Sequence, residues 1–112
     1  MLPTAKSGTY YLIQSASQLG DAVLSERTPK AARAYIGWVA ELGPTVYQPT
    51  KGELEIALDF AVGDMLQAEL RPEQLVTNYG FFRSVAILYG LREREAMYDQ
   101  KITELSGTKG KR

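Results

Sequence analysis

Apolar residues recur at helical spacing along most of the chain. Leu12, Ala16, Leu19 and Val23 lie three or four residues apart, which predicts a first helix over residues 10–24. Residues 10–13, Tyr-Tyr-Leu-Ile, also allow a short strand, because aromatic and β-branched residues favour strands. The longer apolar stripe favours the helix over the strand.

The second predicted helix has recognisable ends. Thr28 is a good N-cap, and Pro29 suits the first helical position, where its missing N–H has no partner to lose. Gly43 can take the left-handed conformation that ends a helix, and Pro44 prevents continuation. We therefore predict a helix over residues 29–42, with one apolar stripe. The stripe consists of Ala32, Tyr35, Ile36, Val39 and Leu42.

Two more helices are predicted after a loop that contains two prolines. Thr50 and Glu53 have the spacing of a capping box, so a third helix is expected over residues 51–69. Pro72 ends it, because the residue before a proline avoids the helical region. Pro72 can also start a short fourth helix, for which the sequence Asn-Tyr-Gly at residues 78–80 indicates an end at Tyr79.

The last segment, residues 81–105, predicts one long amphipathic helix or two helices broken near Gly90. Its apolar residues follow a coiled-coil-like period of about 3.5 residues, with Glu95 in the same seam. The seam residues are Leu88, Leu91, Tyr98, Ile102 and Leu105. Most other positions from Arg92 onward are charged, so this helix either packs at the edge of its own bundle or pairs with another copy. Residues 106–112 contain no apolar side chain and are expected to form a disordered basic tail.

These elements predict an all-α fold, a small single-domain bundle of four to five helices over residues 1–105. The length of 112 residues fits one domain. The sequence contains no apolar run long enough for a membrane span and no secretory signal pattern. A cytoplasmic location is therefore the simplest expectation.

The amino-acid composition excludes several kinds of functional site. The chain has neither cysteine nor histidine, which excludes disulfides, thiolate nucleophiles, imidazole bases and Cys/His zinc sites. Glu55 and Asp59 lie four residues apart and could share a hard cation, but no calcium-loop pattern occurs, and a solvated helix face is the favoured interpretation. We therefore expect no enzymatic activity, no cofactor and no metal.

The formal net charge of zero hides an uneven distribution. Residues 1–40 carry 4 basic and 2 acidic side chains, residues 41–80 carry 2 and 7, and residues 81–112 carry 7 and 4. The acidic side chains concentrate on the third predicted helix, and the basic ones on the last segment. Opposite charges on different parts of the chain could therefore attract each other within one molecule or between copies.

The sequence thus predicts a non-enzymatic helical interaction or assembly module, either a homodimer or a small subunit of a larger assembly. The last helix supplies the predicted partner-binding residues, with an apolar seam and polar flanks that set register. They are Leu91, Arg94, Tyr98, Asp99, Lys101, Ile102 and Leu105.

A DNA-binding regulator is the alternative, because the two helices predicted on either side of Gly80 have a helix-turn-helix outline. Its predicted nucleic-acid-binding residues are Arg83, Arg92, Arg94, Lys109, Lys111 and Arg112. A recognition helix needs polar side chains, however, and residues 81–88 offer only Arg83 and Ser84. Nucleic acid is therefore the less favoured partner.

Overall fold

The computed structural model describes the backbone of residues 4–110 and the side chains of residues 12–107. This part of the chain contains five α-helices and no strand, which confirms the all-α prediction. The helices are α1 (Thr4–Glu26), α2 (Pro29–Leu42), α3 (Glu53–Gln67), α4 (Pro72–Leu88) and α5 (Arg92–Gly110).

The bounds predicted for α2 are confirmed. The hydroxyl of Thr28 accepts a hydrogen bond from the backbone N–H of Ala31 at 3.2 Å, as an N-cap should. Gly43 has a φ of +82°, and its N–H donates to the carbonyl of Val39. The strand alternative for residues 10–13 is wrong, because these residues lie inside α1.

The predicted end of the fourth helix at Tyr79 is also wrong, since α4 continues through Gly80 to Leu88. The chain breaks instead at Gly90, which has a φ of +71°. The N–H of Leu91 donates to the carbonyl of Ala86 at 2.8 Å, and that of Gly90 to Ile87 at 3.2 Å. This pair of bonds is a Schellman motif, which explains why Gly90 ends a helix and Gly80 does not.

The last helix is longer than expected. It continues to Gly110, five residues beyond the predicted end at Leu105. Residues 106–110, which the sequence placed in a disordered tail, are therefore helical, and residues 111 and 112 lie outside the described residues.

The chain forms two compact units, Met1–Ala61 and Val62–Arg112. In the N-terminal unit α1 packs against α2. A Cβ atom added at Gly20 would lie 3.0 Å from the ring of Tyr35 and 3.2 Å from Cγ of Glu53, so glycine permits a close approach there. The apolar core of this unit includes Ala16, Val23, Ala32, Tyr35, Ile36, Val39, Leu54, Ala57 and Leu58.

In the C-terminal unit α4 packs against α5. The rings of Tyr79 and Phe82 on α4 lie 6.0 Å and 6.1 Å from the ring of Tyr98 on α5. These spacings are typical of favourable aromatic pairs. Burial, and then the negative charge of Glu104, raises the pKa of Tyr79. The aromatic cluster joins the two helices into a hairpin whose turn is at Gly90.

Candidate interaction surface on α4

The apolar seam predicted on α5 is engaged within its own hairpin at Tyr98. Only 1% of Tyr98 is exposed, and its ring contacts Tyr79 and Phe82. Ile102 and Leu105 of α5 are half-buried, as is Leu91, which directly precedes the helix. The ring of Tyr98 is therefore not accessible to a partner while the hairpin is folded.

The polar residues predicted to flank this seam mostly have local partners. Asp99 forms an ion pair with Arg83 of α4 at 3.2 Å, and Lys101 lies 3.8 Å from Glu104 on the same helix. Arg94 is half-buried on α5. These contacts hold α4 and α5 together or lie along α5 itself.

Of the six basic residues of the DNA-binding alternative, only Arg83, Arg92 and Arg94 have described side chains. Arg83 is directed toward Asp99, and Arg92 is exposed at the start of α5. No turn exists at Gly80 to separate a recognition helix from the helix before it. The side chain of Lys109 and all of Lys111 and Arg112 lie outside the described residues.

The outward side of α4 is the strongest candidate interaction surface in the described part of the chain. Its exposed residues are spaced by three, four, three and four positions, the pattern of a helix-pairing seam. We call this set the outer stripe of α4. It consists of Gln74, Thr77, Phe81, Ser84 and Leu88.

Two large apolar side chains dominate the outer stripe. Phe81 is 45% exposed and Leu88 is 42% exposed. No residue of the stripe is charged, and the only charged side chain between Gln74 and Leu88 is Arg83, which pairs with Asp99. Along the outer stripe itself, an approaching helix would therefore meet apolar and neutral polar side chains.

A shallow groove continues the outer stripe at its N-terminal end. The groove has a volume of about 340 Å³ and is lined by Leu70, Glu73, Gln74, Thr77 and Asn78. The side-chain oxygen of Gln74 accepts a hydrogen bond from the backbone N–H of Arg71 at 3.0 Å, which fixes one wall. Gln74 and Leu88 each lie seven residues from Phe81, roughly 10 Å along the helix. The groove beside Gln74 and the projecting side chain of Leu88 therefore lie at equal distances from Phe81, in opposite directions along α4.

Sequence reasoning missed the outer stripe for an identifiable reason. A helix end at Tyr79 places Phe81 at the start of a new helix, and the 3.5-residue period places Leu88 in the seam of the last helix. The signal was nevertheless present in the three-four spacing from Gln74 to Leu88 and in the lack of charge along it. It becomes visible only once α4 is known to be continuous.

Among the described side chains, no group of three acidic residues is arranged as a metal site would require. Within residues 4–110, no helix combines the length and apolar character needed to cross a bilayer. No protein-family model, curated protein or solved structure matches the chain.

Proposed function

We propose that this protein is a non-enzymatic helical assembly module that associates with a second copy of itself through the outer stripe of α4. The observation that carries the proposal is the exposure of nearly half of both Phe81 and Leu88 on one uncharged helix face. Apolar side chains grouped on an exposed surface favour association, because pairing removes them from water.

A second copy fits this surface better than an unrelated helix because the stripe is complementary to itself. If two α4 helices pair antiparallel across Phe81, Leu88 of each copy lies over the groove beside Gln74 of the other. Such a contact is isologous, since each copy gives and receives the same interaction. Antiparallel pairing also sets opposite ends of the helix dipoles side by side.

The expected association is weak. One helix face of this length covers less than the roughly 800 Å² per partner of a standard interface. Self-association should therefore increase visibly with protein concentration, and it should be sensitive to the loss of either large apolar side chain.

The test is the double substitution Phe81→Gln/Leu88→Gln, measured by sedimentation equilibrium over a range of concentrations. We expect the dissociation constant to rise by about tenfold or more, because two apolar side chains no longer gain from burial. The helical circular dichroism should be unchanged, since both side chains are exposed.

The matched control is Ile87→Gln/Met97→Gln. These residues are 47% and 45% exposed, close to the values for Phe81 and Leu88, but neither belongs to the outer stripe. The control should associate like the wild type. A wild type that stays monomeric at its solubility limit would refute the proposal, as would equal weakening by the two double variants.

The DNA-binding alternative gains no support from the outward side of α4, which carries no basic residue. It remains testable on the same purified protein by a low-salt gel shift with mixed-sequence duplex DNA. Binding that weakens steeply as salt is added would favour that alternative over the proposal made here.

A further inference from the structure

The turn between α3 and α4 forms one wall of the groove at the N-terminal end of the outer stripe. Glu69 lies in this turn and has a φ of +56°, a left-handed conformation that residues other than glycine seldom adopt. Leu70 follows directly, is half-buried, and lines the groove together with residues of α4. The groove therefore has an aliphatic wall that comes from outside α4.

The neutral polar side chains that line the groove already make hydrogen bonds within their own chain. The side-chain oxygen of Gln74 accepts from the backbone N–H of Arg71 at 3.0 Å. The hydroxyl of Thr77 donates to the carbonyl of Glu73, and the amide of Asn78 donates to the carbonyl of Gln74, each at 3.0 Å. These bonds hold the walls in place, and an apolar side chain can enter the groove without breaking any of them.

Among the described residues that line this groove, Glu73 is the only charged one, and it is exposed. A carboxylate at this position repels an acidic side chain and attracts a basic one. It leaves an uncharged aliphatic side chain free to pack against Leu70. The groove therefore fits an aliphatic occupant and disfavours an acidic one.

Leu88 is an aliphatic side chain that reaches this groove only from a second copy. Within one chain it lies 14 residues from Gln74 on the same continuous helix, which is roughly 21 Å. In an antiparallel pair centred on Phe81, the equal spacing of Gln74 and Leu88 brings Leu88 of each copy to the groove of the other. Leu88 is 42% exposed, so it is accessible for this contact.

We propose that the groove at the α3–α4 turn is the receptor for Leu88 of a second copy, with Leu70 as its apolar wall and Glu73 as the charge that selects against an acidic side chain at position 88. This inference rests on the association proposed for α4 and adds to it a residue outside the outer stripe. Each pair of molecules contains two equivalent contacts between Leu88 and Leu70. The orientation is then fixed as antiparallel, because a parallel pair centred on Phe81 would place Leu88 beside Leu88.

The decisive experiment is a double-mutant cycle that places charges at positions 73 and 88. These positions lie 15 residues apart on α4, or roughly 22 Å, which exceeds the Debye length of about 10 Å at 0.1 M salt. Any coupling between them therefore arises between copies. Sedimentation equilibrium gives the dissociation constants of Leu88→Lys and Leu88→Glu, each with Glu73 present and with Glu73→Lys.

With Glu73 present, Leu88→Lys should associate about fivefold or more tightly than Leu88→Glu, because attraction replaces repulsion at two sites in each pair. With Glu73→Lys the order should reverse by a similar factor. A general effect of charge on the outer stripe would not reverse.

Oxidative crosslinking tests the same contact even where association is weak, and the chain contains no cysteine to interfere. A protein with both Leu70→Cys and Leu88→Cys should form a covalent dimer in high yield under mild oxidation, since thiols of different copies come within disulfide distance. Each single cysteine variant is a control and should give little dimer. A high yield from Leu88→Cys alone would instead indicate parallel pairing.

The failure of this inference can be told apart from the failure of the proposed function. Equal dissociation constants for the two position-88 variants, or equal crosslinking of the single and double cysteine variants, would overturn the docking of Leu88 in the groove. If Phe81→Gln/Leu88→Gln still weakens association more than its matched control, association through α4 stands without that contact. A wild type that stays monomeric at its solubility limit would overturn both.

Discussion

The two compact units are stabilised in different ways at their centres. The N-terminal unit contains a buried carboxylate, Glu53, which is only 3% exposed. It accepts backbone N–H bonds from Thr50 at 3.4 Å and Lys51 at 2.6 Å, and the hydroxyl of Tyr47 lies 3.5 Å away. Tyr47 in turn shares a hydrogen bond of 2.9 Å with Tyr35. The C-terminal unit has instead the aromatic cluster that joins α4 to α5.

The two units therefore obtain a defined arrangement of their helices by different interactions. Hydrogen bonds are directional, so the polar network fixes the loop before α3 against α2 at specific atoms. Apolar contact is not directional, and α5 is held against α4 mainly by the apolar surface that the two helices bury and by the packing of aromatic rings. Replacing Gly20 by a larger residue should disturb the polar network. The aromatic cluster should instead depend most on side chains large enough to fill its volume.

The largest expected effect is the loss of volume in the aromatic cluster. Tyr98→Ala should lower the free energy of unfolding by about 3–5 kcal/mol, because it removes a fully buried ring that contacts both Tyr79 and Phe82. Denaturant unfolding followed by circular dichroism measures the change. Met97→Ala, on the adjacent and exposed position, should cost less than about 1 kcal/mol. Similar losses for both variants would mean that the cluster does not hold the hairpin.

The next effect tests the polar network. Glu53→Ala should lower the free energy of unfolding by about 1–3 kcal/mol, because two partly buried backbone N–H groups lose a charged acceptor. Glu55→Ala is the matched control, since it also removes an acidic side chain from the first turn of α3 and affects the helix dipole equally. If the two variants are equally stable, the network contributes no more than a surface charge does.

The smallest effect is a dependence on alkaline pH. Burial raises the pKa of Tyr47; its hydrogen bond with Tyr35 opposes this shift, and the charge of Glu53 adds to it. Because the folded-state pKa lies above the ordinary value of 10.0, the unfolded chain loses this proton first. The contribution of Tyr47 to the free energy of unfolding should therefore be constant below about pH 10. Above that pH it should fall by at most about 1.4 kcal/mol per pH unit.

Tyr79 in the other unit also has a raised pKa, so the same measurement compares the two units directly. Tyr47→Phe and Tyr79→Phe should each reduce the slope of unfolding free energy against pH between about pH 10 and 11.5, since each removes one titrating group. A slope that neither substitution changes would show that neither hydroxyl titrates differently on folding.

Much of the fold could be predicted because its signals are local. The Thr28-Pro29 start and the Gly43-Pro44 end fixed α2 within single residues. Part of the capping box at α3 also formed, since the carboxylate of Glu53 accepts from the N–H of Thr50. Such signals involve residues within one helical turn, so they are visible without knowledge of the rest of the molecule.

The candidate surface could not be predicted in the same way. Gly80 and Gly90 both allow a helix to end, yet only Gly90 does so. Tyr79 and Phe82 on either side of Gly80 are buried in the cluster with Tyr98, which favours a continuous helix at this point. Whether the helix ends at Gly80 therefore depends on contacts with α5. Because α5 follows later in the chain, no local sequence pattern near Gly80 includes its residues.

Local sequence patterns were sufficient to predict that the described chain is helical, where α2 begins and ends, and that α5 has a narrow apolar seam. What covers that seam depends on the packing of α4 against α5. Once α4 supplies Tyr79 and Phe82 to Tyr98, the opposite side of α4 leaves Phe81 and Leu88 in solvent. The physical reason is that helix formation depends on hydrogen bonds four residues apart, whereas burial depends on residues brought together from distant parts of the chain.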